Sequence, residues 1–96
     1  MKVVFSKNFI RLYKRVNVRI RKRVDEQIDI FEKNPKDLGL RNHKLHNEWA
    51  GYRSIDVTND YRAIFEIVHE GGETYAYFID LGTHDELYEH SRQPQE

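Results

Sequence analysis

The sequence predicts an α+β domain in which an N-terminal strand and a helical hairpin pack on a small, antiparallel-rich sheet. Three observations support this fold class. A strand-like segment opens the chain, two segments with apolar residues at helical spacing follow it, and three strand-like segments then succeed one another, joined by short turns. Ninety-six residues suffice for one modest hydrophobic core, so residues 1–96 are expected to form a single domain.

The first predicted strand and the first predicted helix meet at a serine. Residues 2–6 are mostly β-branched and aromatic, as in strands. Ser6 has the side chain of a helix N-cap, and Phe9, Leu12 and Val16 recur after it at helical spacing. Asn17 then interrupts the apolar pattern, which indicates a break between two helices.

The second predicted helix carries an apolar stripe and stops at a proline. The stripe consists of Ile20, Val24, Ile28 and Phe31. Asn34 and Pro35 mark its end. Both helices are apolar on one side only, so they are expected to form an antiparallel hairpin laid on the sheet.

The connection over residues 35–51 is too polar and irregular for a regular element. A loop of this length in a small domain is usually functional or poorly ordered. It holds His43, Lys44, His46 and Trp49. Of these, Trp49 is expected to anchor the loop to the core rather than to stack on a base.

Three strands are then predicted, joined by turns rich in Asn, Asp and Gly. They cover residues 52–57, 61–69 and 74–81. In the middle strand, alternate residues should pack under the helices, namely Tyr61, Ala63, Phe65 and Ile67. Ile55 and Val57 are the expected core residues of the preceding strand. Arg62 should therefore share the opposite sheet face with Ser54 and Asp56.

A histidine and a tyrosine follow the last strand. His84 and Tyr88 are four residues apart and would share one face of a helical turn. Imidazole titrates near neutral pH, so His84 can act as a general acid or base without a metal. Alternatively, Thr83 and Glu86 form a capping box that opens a short helix after a glycine turn, with His84 as its first residue and Tyr88 packed on the sheet. Residues from 91 onward are expected to form a frayed tail.

Composition excludes several kinds of site and location. Without cysteine there is no disulfide framework and no thiolate metal site. His43 and His46 lack a convincing third ligand nearby, and no glycine-rich phosphate loop is present, so neither a metal nor a cofactor is predicted. No apolar run approaches membrane-spanning length, and no apolar signal stretch follows the first residues. A cytoplasmic location without a membrane partner is expected.

Positive charge is concentrated in the first half of the chain. Residues 1–53 hold 14 Lys and Arg against 6 Asp and Glu, whereas residues 54–96 hold 2 against 10. Either a basic element faces an anionic partner or the two halves neutralise each other in the fold. Six cations within ten residues fit phosphate contacts, although a solvated face explains any one of them. They are Lys14, Arg15, Arg19, Arg21, Lys22 and Arg23.

Four segments carry a family resemblance. Residues 42–45, 49–54, 60–65 and 82–88 read NHKL, WAGYRS, DYRAIF and GTHDELY. Together with the order of strand, two helices and three strands, they resemble the RelE/ParE superfamily of bacterial toxins, and specifically its YafQ-like branch. The resemblance covers nearly the whole chain in layout and roughly residues 42–88 in motifs.

The resemblance implies a ribosome-dependent, metal-independent endoribonuclease that cuts mRNA in the decoding site and is held silent by a cognate antitoxin. It implies catalytic positions at His84, Tyr88, His43, Asp60, Arg62 and Asp56. Asp56 departs from the pattern, because YafQ-like enzymes place a histidine there. Lys44 and Arg53, which lie in matching segments, join the six helical cations as expected RNA contacts.

Such a reaction needs a base for the ribose 2′-OH, a cation for the phosphate and an acid for the leaving 5′-oxygen. His84 suits the acid and Arg62 the cation, whereas His43 or Asp56 could be the base. Arg62 could instead form a cross-strand ion pair with Asp56 or Glu66. Two other functions stay open: a non-catalytic ParE-type toxin that inhibits a protein such as gyrase, and an inactivated relative that survives as an interaction module, which the zero net charge favours.

Overall fold

Two helices cover one face of a five-stranded sheet in the computed structural model, which describes residues 1–89. The regular elements are β1 (Lys2–Phe5), α1 (Lys7–Arg15), α2 (Val18–Lys33), β2 (His43–Lys44), β3 (Arg53–Asp56), β4 (Tyr61–Glu70) and β5 (Glu73–Thr83). Short 3₁₀ turns cover Leu38–Leu40 and Asn47–Trp49, and a π-helical turn covers Asp85–Glu89. The tail expected from residue 91 lies outside the described residues.

The strands lie in the order β1-β5-β4-β3-β2, with β1 parallel to β5 and every other pair antiparallel. The predicted α+β class is confirmed: an N-terminal strand and two helices pack on an antiparallel-rich sheet. No helix within residues 1–89 is long and apolar enough to cross a membrane.

The predicted helix boundaries are set by local side-chain caps. Ser6 Oγ accepts a hydrogen bond from the Phe9 amide at 3.0 Å, and Asn17 Oδ1 accepts one from the Ile20 amide at 3.0 Å. Each satisfies an amide at a helix N-terminus that has no partner within the helix and contributes about 1 kcal/mol. Asn34 ends α2, as its position before Pro35 predicts.

The main core lies between the helices and the sheet, where aromatic rings pack at close range. Phe78 of β5 lies 4.8 Å from Phe65 and 5.4 Å from Phe31 between ring centroids. Ala63 of β4 and Ile55 of β3 are fully buried in the same cluster. The alternation predicted for the middle strand is therefore confirmed, and Arg62 lies on the other face.

Two predictions about the connections were wrong. The polar stretch over residues 35–51 contains a regular element, because β2 pairs with β3 as an edge strand. The hydrogen-bond partners of β2 lie in β3, about ten residues further along the chain. The pattern of residues within the stretch 35–51 cannot reveal such a pairing. Gly82 forms no turn, because β5 continues through it and pairs it with Arg62.

A second, smaller cluster covers the sheet face away from the helices. Trp49, Ile64 and Leu87 are buried together there. Trp49 Nε1 donates to the Leu87 carbonyl oxygen at 3.1 Å, so the indole anchors the 35–51 connection to the chain after β5. The expected anchoring role of Trp49 is confirmed.

Candidate functional site

A pocket of about 370 Å³ opens on the sheet face away from the helices. Its walls come from β2 and the residues beside it, from the start of β4, and from the turn after β5. The lining residues are Arg41, His43, Lys44, Leu45, His46, Asn47, Trp49, Arg62, His84 and Tyr88. Four of the six residues with expected catalytic roles therefore line one pocket, although up to 45 positions separate them in the chain.

The backbone at His84 is fixed by local and distant hydrogen bonds. The Thr83 amide donates to Glu86 Oε1 at 2.8 Å, and the Glu86 amide donates to Thr83 Oγ1 at 3.2 Å. This is the predicted capping box. The His84 amide also donates to the Asp60 carbonyl oxygen at 3.0 Å. The capped turn leaves the exposed imidazole of His84 in the pocket wall, so the capping box and a role of His84 in the pocket are compatible.

Tyr88 supports the imidazole of His84 from the side. The two rings meet edge to face, with centroids 4.7 Å apart and planes inclined by 62°. Burial raises the pKa of the Tyr88 hydroxyl, and the charges of Asp56 and Asp80 raise it further, against lowering effects of Ser54 and Arg62. The hydroxyl is therefore protonated at neutral pH and can donate a hydrogen bond but cannot act as a base.

His43 has a defined tautomer in its neutral form. Its Nδ1 lies 2.7 Å from the Arg41 carbonyl oxygen. A carbonyl oxygen only accepts, so Nδ1 must carry the proton and Nε2 is left with a lone pair. Because His43 is exposed and lines the pocket, this Nε2 is available to take a proton from a bound group.

Arg62 is held by groups of its own chain. Its Nε lies 3.0 Å from Asp56 Oδ1, which is the cross-strand ion pair that was one of its two expected roles. Its Nη1 donates to the carbonyl oxygens of Thr58 at 3.0 Å, Asn59 at 2.9 Å and Tyr61 at 3.2 Å. The guanidinium thus ties β3, the following turn and β4 together.

Asp56 forms ion pairs with two arginines and is therefore poorly suited as a base. Arg62 contacts its Oδ1, as an ion pair without hydrogen-bond geometry, and Arg41 Nε lies 3.2 Å from its Oδ2. Taking a proton would weaken both ion pairs. Asp56 also does not line the pocket. Of the two expected bases, the geometry favours His43.

Asp60 is likewise absent from the pocket lining. Its side chain is exposed at the turn before β4, and its contribution to the site is the carbonyl oxygen that fixes the His84 amide. Asp56 and Asp60 are thus the two expected catalytic residues that do not line the pocket.

The eight expected RNA contacts divide between different surfaces. Lys44 lines the pocket. Arg53 faces the helix side of the sheet, where its Nε donates to Asn42 Oδ1 at 2.8 Å. The six helical cations lie on elements that cover the opposite face from the pocket. Two of them have structural partners, because Arg21 donates to the Val16 carbonyl oxygen at 2.7 Å and Arg23 pairs with Glu26 at 2.7 Å.

Two titratable side chains of the pocket wall were not among the predicted site residues. Arg41 and His46 both line the pocket and are exposed. The only sequence signal for Arg41 is its position two residues before His43. The pairing of β2 with β3 is what brings Arg41 to Asp56 and into the pocket wall. Although three imidazoles line the pocket, no three His, Cys, Asp or Glu side chains within residues 1–89 converge to hold a metal ion.

Comparisons with known proteins identify the fold. No protein-family model matches the chain, and a search of curated proteins gave no significant match. Among solved structures, the YoeB/ParE toxin from Agrobacterium tumefaciens matches with a TM-score of 0.69 at 22% identity, covering 88% of this chain and 99% of that one. YafQ from E. coli strain BL21(DE3) matches with a TM-score of 0.68 at 22% identity, covering 91% and 97%.

A chain of the RelB-RelE antitoxin-toxin complex from Methanococcus jannaschii matches with a TM-score of 0.62 at 24% identity, covering 92% of this chain and 98% of that one. The chain therefore has the fold shared by RelE/ParE-superfamily toxins, with YafQ among them, as the motifs predicted. Because the identities are below 25%, these structural matches show the fold alone. A proposal about activity must rest on the residues of the pocket.

Proposed function

We propose that this protein is the toxin of a type II toxin–antitoxin pair and a ribosome-dependent mRNA endoribonuclease that works without a metal. The observation that carries the proposal is the convergence of His43, His84 and two arginines on one pocket of a RelE/ParE-type fold. Since translation takes place in the cytoplasm, the proposal locates the protein there.

The pocket supplies a base and an acid for cleavage by an internal nucleophile. His43 Nε2 takes the proton of a ribose 2′-OH, whose oxygen attacks the adjacent phosphorus. The bond from phosphorus to the 5′-oxygen breaks, and His84 donates a proton to that oxygen as it leaves. The products are a 2′,3′-cyclic phosphate and a 5′-OH end. Tyr88 orients the His84 ring, and a guanidinium stabilises the charge that grows on the phosphate.

Growth experiments test the proposed activity directly. We expect that inducing this protein alone arrests growth and cleaves translated mRNA, whereas naked RNA is cut poorly. Mapping RNA 5′ ends after induction measures the cleavage, and a His84→Ala variant is the matched control. Growth arrest with intact mRNA and altered DNA supercoiling would contradict the proposal in favour of a gyrase inhibitor. Neither arrest nor cleavage would favour an inactivated interaction module.

We also propose an antitoxin partner, since the fold recurs in a RelB-RelE antitoxin-toxin complex. An apolar groove of about 510 Å³ between α1 and α2 offers a surface that a partner helix can cover. Phe5 and Ile10 on its wall are 38% and 42% exposed. A small open reading frame beside this gene, whose co-expression restores growth, is the expected observation.

The proposal gives the exposed helical cations a role in ribosome binding. Lys14, Arg19 and Lys22 are exposed and make no ion pair with other residues in 1–89. Replacing them with alanine should weaken ribosome binding and flatten its salt dependence. The slope of the logarithm of the binding constant against the logarithm of the salt concentration should become shallower, by about 0.9 or less for each phosphate that the variant no longer neutralises. Titrations of ribosomes at several salt concentrations measure this slope.

The matched control replaces Lys33 and Lys36, which lie at and beyond the far end of α2. Cleavage within an already bound complex should change little in either variant, since phosphate contacts of this kind position the protein. An unchanged salt slope in the triple variant would show that this part of the helical surface is only solvated.

A further inference from the structure

Two arginines line the pocket, Arg41 and Arg62, and they differ in the N–H donors that they can offer a phosphate. A guanidinium has five N–H donors. In Arg62, Nη1 donates to three backbone carbonyl oxygens, Nε lies 3.0 Å from Asp56 Oδ1 in an ion pair, and the side chain is only 15% exposed. Arg62 therefore lacks a free pair of nitrogens with which to bind two phosphate oxygens at once.

Arg41 has the opposite character. Its side chain is 72% exposed and lines the pocket, and only its Nε contacts a protein group, Asp56 Oδ2 at 3.2 Å. Both terminal nitrogens are without hydrogen-bond partners in the described part of the chain. They form the two-nitrogen edge that matches two oxygens of a phosphate.

The backbone of Arg41 links this cation to the proposed base. Arg41 adopts the left-handed conformation with φ 50° and ψ 47°, which residues other than glycine rarely adopt. Its amide donates to the Leu38 carbonyl oxygen at 3.2 Å, and its own carbonyl oxygen accepts from His43 Nδ1 at 2.7 Å. One residue thus sets the tautomer of His43 and directs a guanidinium into the same pocket.

We propose that Arg41, and not Arg62, binds the scissile phosphate and stabilises its developing negative charge. Asp56 holds the Arg41 side chain through Oδ2, and Arg62 is a positioning residue that fixes Asp56 from the other side. This inference rests on the proposed RNA cleavage, whose active site it completes.

Single-turnover cleavage of mRNA on programmed ribosomes tests the assignment. Arg41→Ala should slow cleavage by ~10²–10³-fold, the usual effect of removing one preorganised donor from a transition state. Arg41→Lys should recover only part of the rate, because an ammonium lacks the planar fork. Arg11→Ala, which removes an exposed arginine of α1 outside the pocket, should cleave at the parental rate.

A sulfur substitution separates direct contact from a structural role. Replacing one non-bridging oxygen of the scissile phosphate with sulfur should slow the parent, and Arg41→Ala should reduce the difference between the oxygen and sulfur substrates. A full sulfur effect in Arg41→Ala, or cleavage within twofold of the parent, would overturn the assignment.

A binding measurement distinguishes failure of this inference from failure of the proposed function. In ¹⁵N spectra of the arginine side chains, inorganic phosphate should shift the Arg41 signal more than the Arg62 signal. Cleavage of mRNA without an Arg41 shift would overturn the role of Arg41 alone. An Arg41 shift in a protein that cuts no mRNA would support the phosphate site and overturn the nuclease proposal.

Discussion

His84→Ala should slow mRNA cleavage by ~10²–10⁴-fold while leaving the protein folded, because the change removes a general acid without removing a core contact. The imidazole is exposed, and the capping box beneath it is made by Thr83 and Glu86 rather than by His84. The free energy of unfolding should change by about 0.5 kcal/mol or less, as for other surface substitutions. Single-turnover cleavage and thermal melting measure the two quantities.

His69→Ala is the matched control for this variant. His69 is an exposed histidine near the end of β4, outside the pocket, where its Nδ1 lies 2.9 Å from Thr74 Oγ1. Its replacement should leave the cleavage rate unchanged. If His84→Ala melts like the parent and still cuts at the parental rate, His84 has no part in the chemistry and the proposed acid is wrong.

Asp56→Ala should have the largest effect on stability among the site residues. The change leaves the Arg62 guanidinium, which is only 15% exposed, without its counter-charge. Removing one partner of a buried ion pair costs ~3–5 kcal/mol. Because both partners retain some exposure, we expect about 3 kcal/mol, at the low end of that range. Urea denaturation measures this loss as a lower midpoint at an unchanged slope.

The control for Asp56→Ala is Asp29→Ala on the surface of α2. Asp29 pairs with Lys33 at 3.1 Å, four residues further along the helix, and both side chains are exposed. Such a pair contributes about 0.3–0.5 kcal/mol. If the two variants unfold at the same urea concentration, the ion pairs of Asp56 do not hold β3 and β4 together, and the positioning role assigned to Arg62 fails with them.

The site illustrates where motif reasoning succeeds and where it stops. His84 and Tyr88 could be paired from their spacing alone, because four residues along a helical turn bring two side chains to one face. The ion pair of Arg62 with Asp56 could be proposed as one of two roles from strand alternation. Arg41 could not be identified in this way, since nothing in the adjacent sequence distinguishes it from other surface arginines.

The sequence by itself determined the features that depend on residues close together in the chain. Ser6 and Asn17 begin the two helices, and Thr83 with Glu86 begins the last turn, through hydrogen bonds that span three residues. The alternation of β4 assigned Arg62 to the face away from the helices. These features are predictable because caps, periodicity and pleat are local properties of the backbone.

Only the tertiary structure decided which side chains meet. Pairing of β2 with β3 brings His43 opposite Ser54 and Arg41 within reach of Asp56, and the fold then adds His84 to the same pocket. The tertiary structure also favours His43 over Asp56 as the base, since the Asp56 carboxylate forms ion pairs with two arginines. Such contacts join residues far apart in the chain, so they depend on strand order and register, which no single segment encodes.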